Sequence, residues 1–170
     1  MKKLLITLGL LSILTTYSFG SGFASLGYTQ GLEKRILKDT NDNNIEFQKN
    51  QFIKFNFGIH TFPEEGKHEL PQMYFGFGSG KQEKGLYEYQ HTVINVGMTH
   101  ALNNNFVLFG GLGFANETLN YDGQDEDYFT ESKLNVNVGG IMYFGESHYG
   151  LFAEYDSALN AVGGGISLRF

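Results

Sequence analysis

The stretch "GGGISLRF" (residues 163–170) decides the fold. Counting back from Phe170 in twos puts Leu168, Ile166, Gly164 and Val162 on one side, against Arg169, Ser167, Gly165, Gly163 and Ala161 on the other. This is the two-residue period of a β-strand, with one apolar face and one small or polar face. In a soluble protein the apolar row would enter a core; in a bilayer it would meet lipid. The compartment chooses between them.

Compartment is read from "MKKLLITLGLLSILTTYSFGSGFA" (residues 1–24). Lys2 and Lys3 precede an apolar run from Leu4 to Leu14, and small residues follow at Ser18, Gly20, Gly22 and Ala24. A charged start, a short apolar middle and a small-x-small region make a secretory signal peptide. The run falls short of the ~20 residues that span a bilayer as a helix. Cleavage is expected after Gly20, or as late as Ala24, giving a leader over 1–20 and one domain over 21–170. The chain has no cysteine, so the exported fold stands without disulfides.

Removing 20 of 170 residues leaves 150, and because Lys2 and Lys3 leave with them the net charge moves from −6 to −8. That balance does not suit nucleic acid, and no basic stripe interleaved with aromatics is present. The sequence holds 23 Gly, 16 Phe and 10 Tyr with two Pro and no Trp, which favours strands and turns over helices.

Period-two segments follow the leader. Residues 23–32 form the first. In the second, Ile53, Phe55, Phe57 and Ile59 oppose Lys54, Asn56, Gly58 and His60; in the third, Met73, Phe75 and Phe77 oppose Gln72, Tyr74, Gly76 and Gly78. The fourth, residues 85–102, loses its parity near Val93 and Ile94, the mark of a bulge. The fifth is apolar on both faces around Gly110, Gly111 and Gly113. The sixth sets Leu134, Val136, Val138 and Met142 against Asn135, Asn137 and Gly139. The seventh sets Tyr149, Leu151, Ala153 and Tyr155 against Gly150, Phe152, Glu154 and Asp156, and residues 161–170 make the eighth.

With the C-terminal end placed in the periplasm, the linkers at 63–70, 103–105 and 145–147 fall on the periplasmic side. Residues 33–50, 81–84 and 122–131 become longer polar outer loops, and 157–160 a short one. Short inner turns and longer outer loops are the asymmetry of an outer-membrane barrel. A sheet in lipid must close on itself to satisfy its backbone, so the last strand would pair with the first. The expected fold is all-β: an eight-stranded antiparallel up-and-down transmembrane β-barrel.

On this architecture and the terminal "ISLRF", the chain resembles the small outer-membrane β-barrels of the OmpA transmembrane-domain and OmpX type. The resemblance covers nearly all of the mature chain. It implies residence in the bacterial outer membrane among lipid and lipopolysaccharide, and insertion by the barrel-assembly machinery. In that family the terminal aromatic and the alternating apolar residues before it serve as the insertion signal, here Ile166, Leu168 and Phe170.

Eight strands enclose an interior that side chains fill, so a wide pore is not expected. The inward polar set is Lys54, Asn56, Asn95, Asn135, Asn137, Glu154, Asp156 and Arg169. Buried charges must pair, so Lys54 or Arg169 is expected to meet Glu154 or Asp156. A structural plug is the favoured reading, with a narrow ion path as the alternative. A rim-located lipid A-modifying enzyme is a second alternative, since His60, His68, His91, His100 and His148 accompany Ser132 and Ser157. No spacing brings a His, a Ser and a carboxylate together, however, so no enzyme activity is expected. The acidic stretches 122–127 and 39–44 supply oxygen ligands, but 39–44 lacks the central Gly and closing Glu of a calcium loop, and both are read as solvated loops; neither a metal nor a cofactor is expected. A soluble β-sandwich or lipocalin-like barrel would need polar outward rows. The function expected is structural or surface-interacting: envelope integrity, adhesion or binding of an extracellular ligand at the outer loops.

Overall fold

The computed structural model describes residues 22–38, 43–60, 71–121 and 129–170. The leader, the 63–70 linker, His68 and most of the 39–44 and 122–131 segments lie outside them. Eight antiparallel strands form a closed barrel in sequence order: β1 (Gly22–Lys38), β2 (Asn44–Ile59), β3 (Gln72–Lys84), β4 (Tyr87–Asn103), β5 (Phe106–Tyr121), β6 (Phe129–Tyr143), β7 (Tyr149–Asp156) and β8 (Ala161–Arg169). The seam joins β1 to β8 from Phe23↔Arg169 to Gly31↔Ala161. The strands arise where the period-two patterns stand, but several run further. Residues 33–38, 44–50 and 81–84, expected as loops, are strand. Between β3 and β4 only Gly85 and Leu86 turn, with Gly85 at φ +61°, the left-handed conformation that glycine adopts without strain.

The parity slip at Val93 and Ile94 is not a bulge. The β4 register runs unbroken through both on either side. Val93 is an apolar residue on the inner face, fully buried, while Ile94 is exposed outside. An apolar interior layer, rather than an extra residue, breaks the alternation.

Outward residues make a continuous apolar belt: among them Leu26, Ile53, Phe75, Met98, Leu112, Val138, Leu151 and Ile166 are all exposed. On each strand the outward row turns polar at a definite point, namely Gln30, Gln51, Ser79, Thr92, Asn116 and Ser132, with Ser157 at the β7–β8 turn. Several are cross-strand partners, Gln30 with Gln51 and Ser79 with Thr92, Asn116 and Ser132 in succession. On β5 the belt runs from Phe106 to Phe114, about 27 Å along the strand at ~3.4 Å per residue. Tilted by the ~40° usual for such barrels, that gives about 20 Å of height, near the ~25 Å apolar band of a membrane barrel. An exposed apolar girdle of that height is stable only beside hydrocarbon.

Candidate functional site

Side chains fill the described barrel in four layers. At the end carrying the short turns, Phe23, Tyr74, Val107, Phe109, Ile141, Tyr143 and Phe152 pack into one apolar cluster. Above it lies the polar network. A second apolar layer follows, with Phe52, Val93 and Ala115 meeting Leu159 and Ala161. Leu159 belongs to the β7–β8 turn, which is short enough to fold inward as a stopper. At the hairpin end Leu37, Ile45, Phe47, Tyr89 and Leu119 close the column.

The network is built on Lys54, whose ammonium donates to Asp156 and lies 3.1 Å from Glu154 Oε2. Asp156 also accepts from Asn135 Nδ2 at 2.7 Å, Asn95 Nδ2 at 3.2 Å and Asn137 Nδ2 at 3.3 Å. Glu154 Oε2 accepts from Asn56 at 3.1 Å and Asn137 at 3.2 Å. The Tyr74 hydroxyl lies 3.0 Å from Asn56 Oδ1 and 2.9 Å from Asn137 Oδ1, tying the network to the aromatic layer below. Asn135 Oδ1 accepts the Ala158 amide at 2.9 Å, which anchors the stopper turn. All seven network residues are at most 5 % exposed. One ammonium thus stands between two carboxylates, and four asparagines donate to Asp156 and to Glu154 Oε2, while Glu154 Oε1 is buried without a hydrogen-bond partner.

Arg169 stands elsewhere. It lies six residues along β8 from Gly163, the partner of Glu154, which is about 20 Å of strand. Its guanidinium donates to Asn104 O at 2.9 Å and Ser147 O at 2.8 Å and covers the Tyr143 ring at 4.9 Å. The parity that points it inward is right, but its height puts it at the turn-end mouth, so its pairing with Glu154 or Asp156 is corrected. Of the terminal residues, Ile166 and Leu168 face outward and exposed. The Phe170 ring lies over Gly22, where a Cβ would come within 2.9 Å of it. It stacks on Phe57 of β2, centroids 6.0 Å apart at 20°. Ser167, on the opposite face, is buried and bonded to Ser25 Oγ at 2.9 Å.

A second charged cluster, not anticipated from the sequence, lies beyond the belt. Arg35 of β1 donates to Glu117 of β5 and lies 3.4 Å from Glu131 of β6; Lys133 lies 2.7 Å from Glu117 and 2.9 Å from Glu131. Tyr89 also donates to Glu117. Burial pushes the Glu117 carboxyl up, but Lys133, Tyr89 and Arg35 outweigh it and hold the group below its ordinary range. The cluster spans the gap left above the β7–β8 turn, where β6 ladders with β7 only from Asn137 inward and β1 with β8 only up to Gly31. Its residues sit in segments whose mixed polar sequence carries no clean period, which hid them.

Ser132 and Ser157 bond to other groups than the histidines, and the adjacent Ser147 and His148 share the β6–β7 turn. His91 is buried between Phe52 and Tyr89, ring centroids 5.1 and 5.3 Å away. Ser132 Oγ donates to Asn116 at 2.6 Å, and Ser157 Oγ accepts the Val136 amide at 2.8 Å. His148 Nδ1 lies 3.0 Å from the Arg169 carbonyl in the β6–β7 turn. Among the described residues no group of three His, Asp or Glu is placed to hold a metal.

No family model matches the sequence, and no curated protein matches it significantly. Solved structures do resemble it. Ail, the attachment invasion locus protein of Yersinia pestis, in complex with the heparin analogue sucrose octasulfate, superposes with a TM-score of 0.60 at 17 % identity, covering 90 % of this chain and 100 % of that one. Ail in a phospholipid bilayer nanodisc gives 0.54 at 16 % identity, covering 89 % and 99 %. The chain therefore has the fold of the small eight-stranded outer-membrane β-barrels.

Proposed function

We propose that the protein is an integral outer-membrane barrel whose outward hairpins carry a binding or adhesive role, and that it is neither an enzyme nor a wide pore. The observation that carries this is the uneven height of the wall. On β1 the strand continues eight residues past Gln30 to Lys38, about 26 Å of strand beyond the belt, while at the opposite end the two fully described connections are short turns at Asn104–Asn105 and Gly145–Ser147. Side chains that raise a rigid sheet beyond the lipid serve what lies outside it. Ail, which shares the fold, is an attachment protein whose structure holds a polysulfated sugar. Fold likeness alone transfers no ligand, and the −8 charge of the mature chain favours an uncharged or cationic partner over a polyanion. The four filled layers support a plug over an ion path. The inward, buried His91 and the separate rim serines support a non-catalytic role.

The leader is proposed to leave after Gly20. Cleavage after Ala24 would remove Gly22 and Phe23, which close the seam against Phe170 and Arg169. Lipid, lipopolysaccharide and the assembly machinery are the proposed envelope partners. Because the chain has no native cysteine, display can be read directly. Leu86→Cys should react with a membrane-impermeant maleimide on intact cells, and Glu146→Cys only after the outer membrane is opened. The reverse pattern would invert the barrel, and labelling of neither in a carbonate-washable protein would remove it from the membrane.

Phe170, Leu168 and Ile166 are proposed as the insertion signal. Phe170→Asp is expected to lower the amount inserted in cells several-fold while refolding of the purified chain into phospholipid vesicles changes little. Leu86→Asp at the far tip should leave both unchanged. Equal losses in cells and in vesicles for Phe170→Asp would make the ring a packing element only.

A further inference from the structure

Beyond the belt, β2 and β3 separate. Their ladder ends at Ile53↔Ser79, although β2 continues outward to Asn44 and β3 to Lys84. The two hairpins are joined there by side chains, Gln82 Nε2 donating to Lys49 O at 3.0 Å and Lys84 Nζ to Glu46 O. Between them runs a cleft of about 510 Å³ lined by Gln30, Gln48, Lys49, Gln51, Gln82 and Glu83. Its floor is the Gln30↔Gln51 pair, where the outward rows leave the apolar belt. Four of its six lining residues are glutamine.

Chemistry selects the occupant. The side chains of Gln30, Gln48 and Gln51 make no hydrogen bond to the described residues, so three carboxamides present free donors and acceptors along the cleft. A carboxamide offers two donors and an acceptor in one plane, which matches neighbouring sugar hydroxyls and gives no preference for a charged group. Glu83 is already 3.0 Å from Lys81, leaving Lys49 as the cation facing the cleft. The floor at the polar edge of the belt, formed by the exposed Gln30 and Gln51 on the outer face of the wall, points to where the sugar comes from: a glycan standing on a lipid of the same leaflet.

We propose that this cleft seats the saccharide of an outer-leaflet glycolipid, held by Gln30, Gln48 and Gln51. The proposal rests on the surface-displayed barrel reading and gives its lipopolysaccharide partner a site on this chain.

The test uses the full mature chain in detergent micelles and labelled lipopolysaccharide at equilibrium. The parent is expected to bind, and the Gln30→Ala/Gln48→Ala/Gln51→Ala variant about tenfold more weakly, as loss of several neutral hydrogen bonds implies. Thr92→Ala/Thr118→Ala, on the β4–β5 face, should bind like the parent. The glycan released from the same lipopolysaccharide by mild acid should compete poorly. Heat-modifiable migration checks that each variant is folded, and Gln51→Glu, which keeps the side chain's size, gives the same readout should the triple variant not fold. Equal affinity of parent and cleft variants overturns the proposal, as does complete competition by the free glycan, which would make the ligand soluble. Normal surface labelling of Leu86→Cys with unchanged affinity sinks the cleft alone; failed labelling sinks the barrel's placement.

Discussion

Exchanging Lys54 for Met should lower the unfolding free energy of the barrel in phospholipid vesicles by about 3–5 kcal/mol, the range for removing one partner of a buried ion pair. Lys54 is fully buried and is the ammonium shared by Asp156 and Glu154. Without it the two carboxylates face only asparagine donors. The cost is expected to come mainly from the stranded charge rather than from the lost bond, which a second variant separates. In Lys54→Met/Asp156→Asn one carboxylate is gone, and a good part of the loss should return, so that the two changes are strongly non-additive. Additive losses, or a cost below about 1 kcal/mol for Lys54→Met, would mean that the network is not the electrostatic centre of the interior.

An arginine at Val138 or Leu151 should cost about 2–4 kcal/mol in the same measurement, the penalty of a basic side chain near the midplane on the lipid face. Both are exposed outward in the middle of their apolar rows, Val138 at 58 % and Leu151 at 48 %. Thr118→Arg, on the same outer face but past the polar edge, should cost about 0–1 kcal/mol. Depth, not exposure, separates the two outcomes. If Val138→Arg is as harmless as Thr118→Arg, the girdle does not face lipid. Inward substitutions make poor neutral controls. Asn137 is bonded to Glu154, Asp156 and the Tyr155 carbonyl and is 1 % exposed, so the extra methylene of Asn137→Gln should cost about 1–3 kcal/mol by overpacking.

Strand number, order and facing were legible because, within the belt, each face sees one medium. Lipid outside and a polar interior write period two into Ile53 to Ile59 and Leu134 to Met142, and the sequence displays it openly. Legibility failed where a face sees something else. Val93 looks like a slip because the interior there is apolar, matching Phe52 and Leu159 from distant segments. Residues 81–84 look like a loop because both of their faces meet water, which leaves "KQEK" without an apolar row, and residues 33–38 look like one because their inward face mixes the charged Arg35 with the single buried apolar Leu37. The inward set was read by parity, which gives side but not height. Lys54, Glu154 and Asp156 share a level, and Arg169 does not. The Arg35–Glu117 cluster depends on β1, β5 and β6 meeting beyond the belt, which no local pattern announces. The glutamine cleft depends on where a ladder stops.

The seam has a consequence for how the chain folds. Ser25 Oγ donates to Ser167 Oγ across 142 residues of sequence, and every rung from Phe23↔Arg169 to Gly31↔Ala161 is comparably distant along the chain. Hairpins β1–β2 through β7–β8 can form from neighbouring residues, but the cylinder exists only once β8 reaches β1. Contacts of such separation carry the largest loop-closure entropy and slow the search for the native state. Until then β1 and β8 are both bare sheet edges, with backbone groups that hydrocarbon cannot satisfy and that aqueous neighbours can pair with wrongly. Closure is thus expected to be slow and nearly all-or-none, with partly zipped intermediates that depend on chaperoning until the final strand arrives.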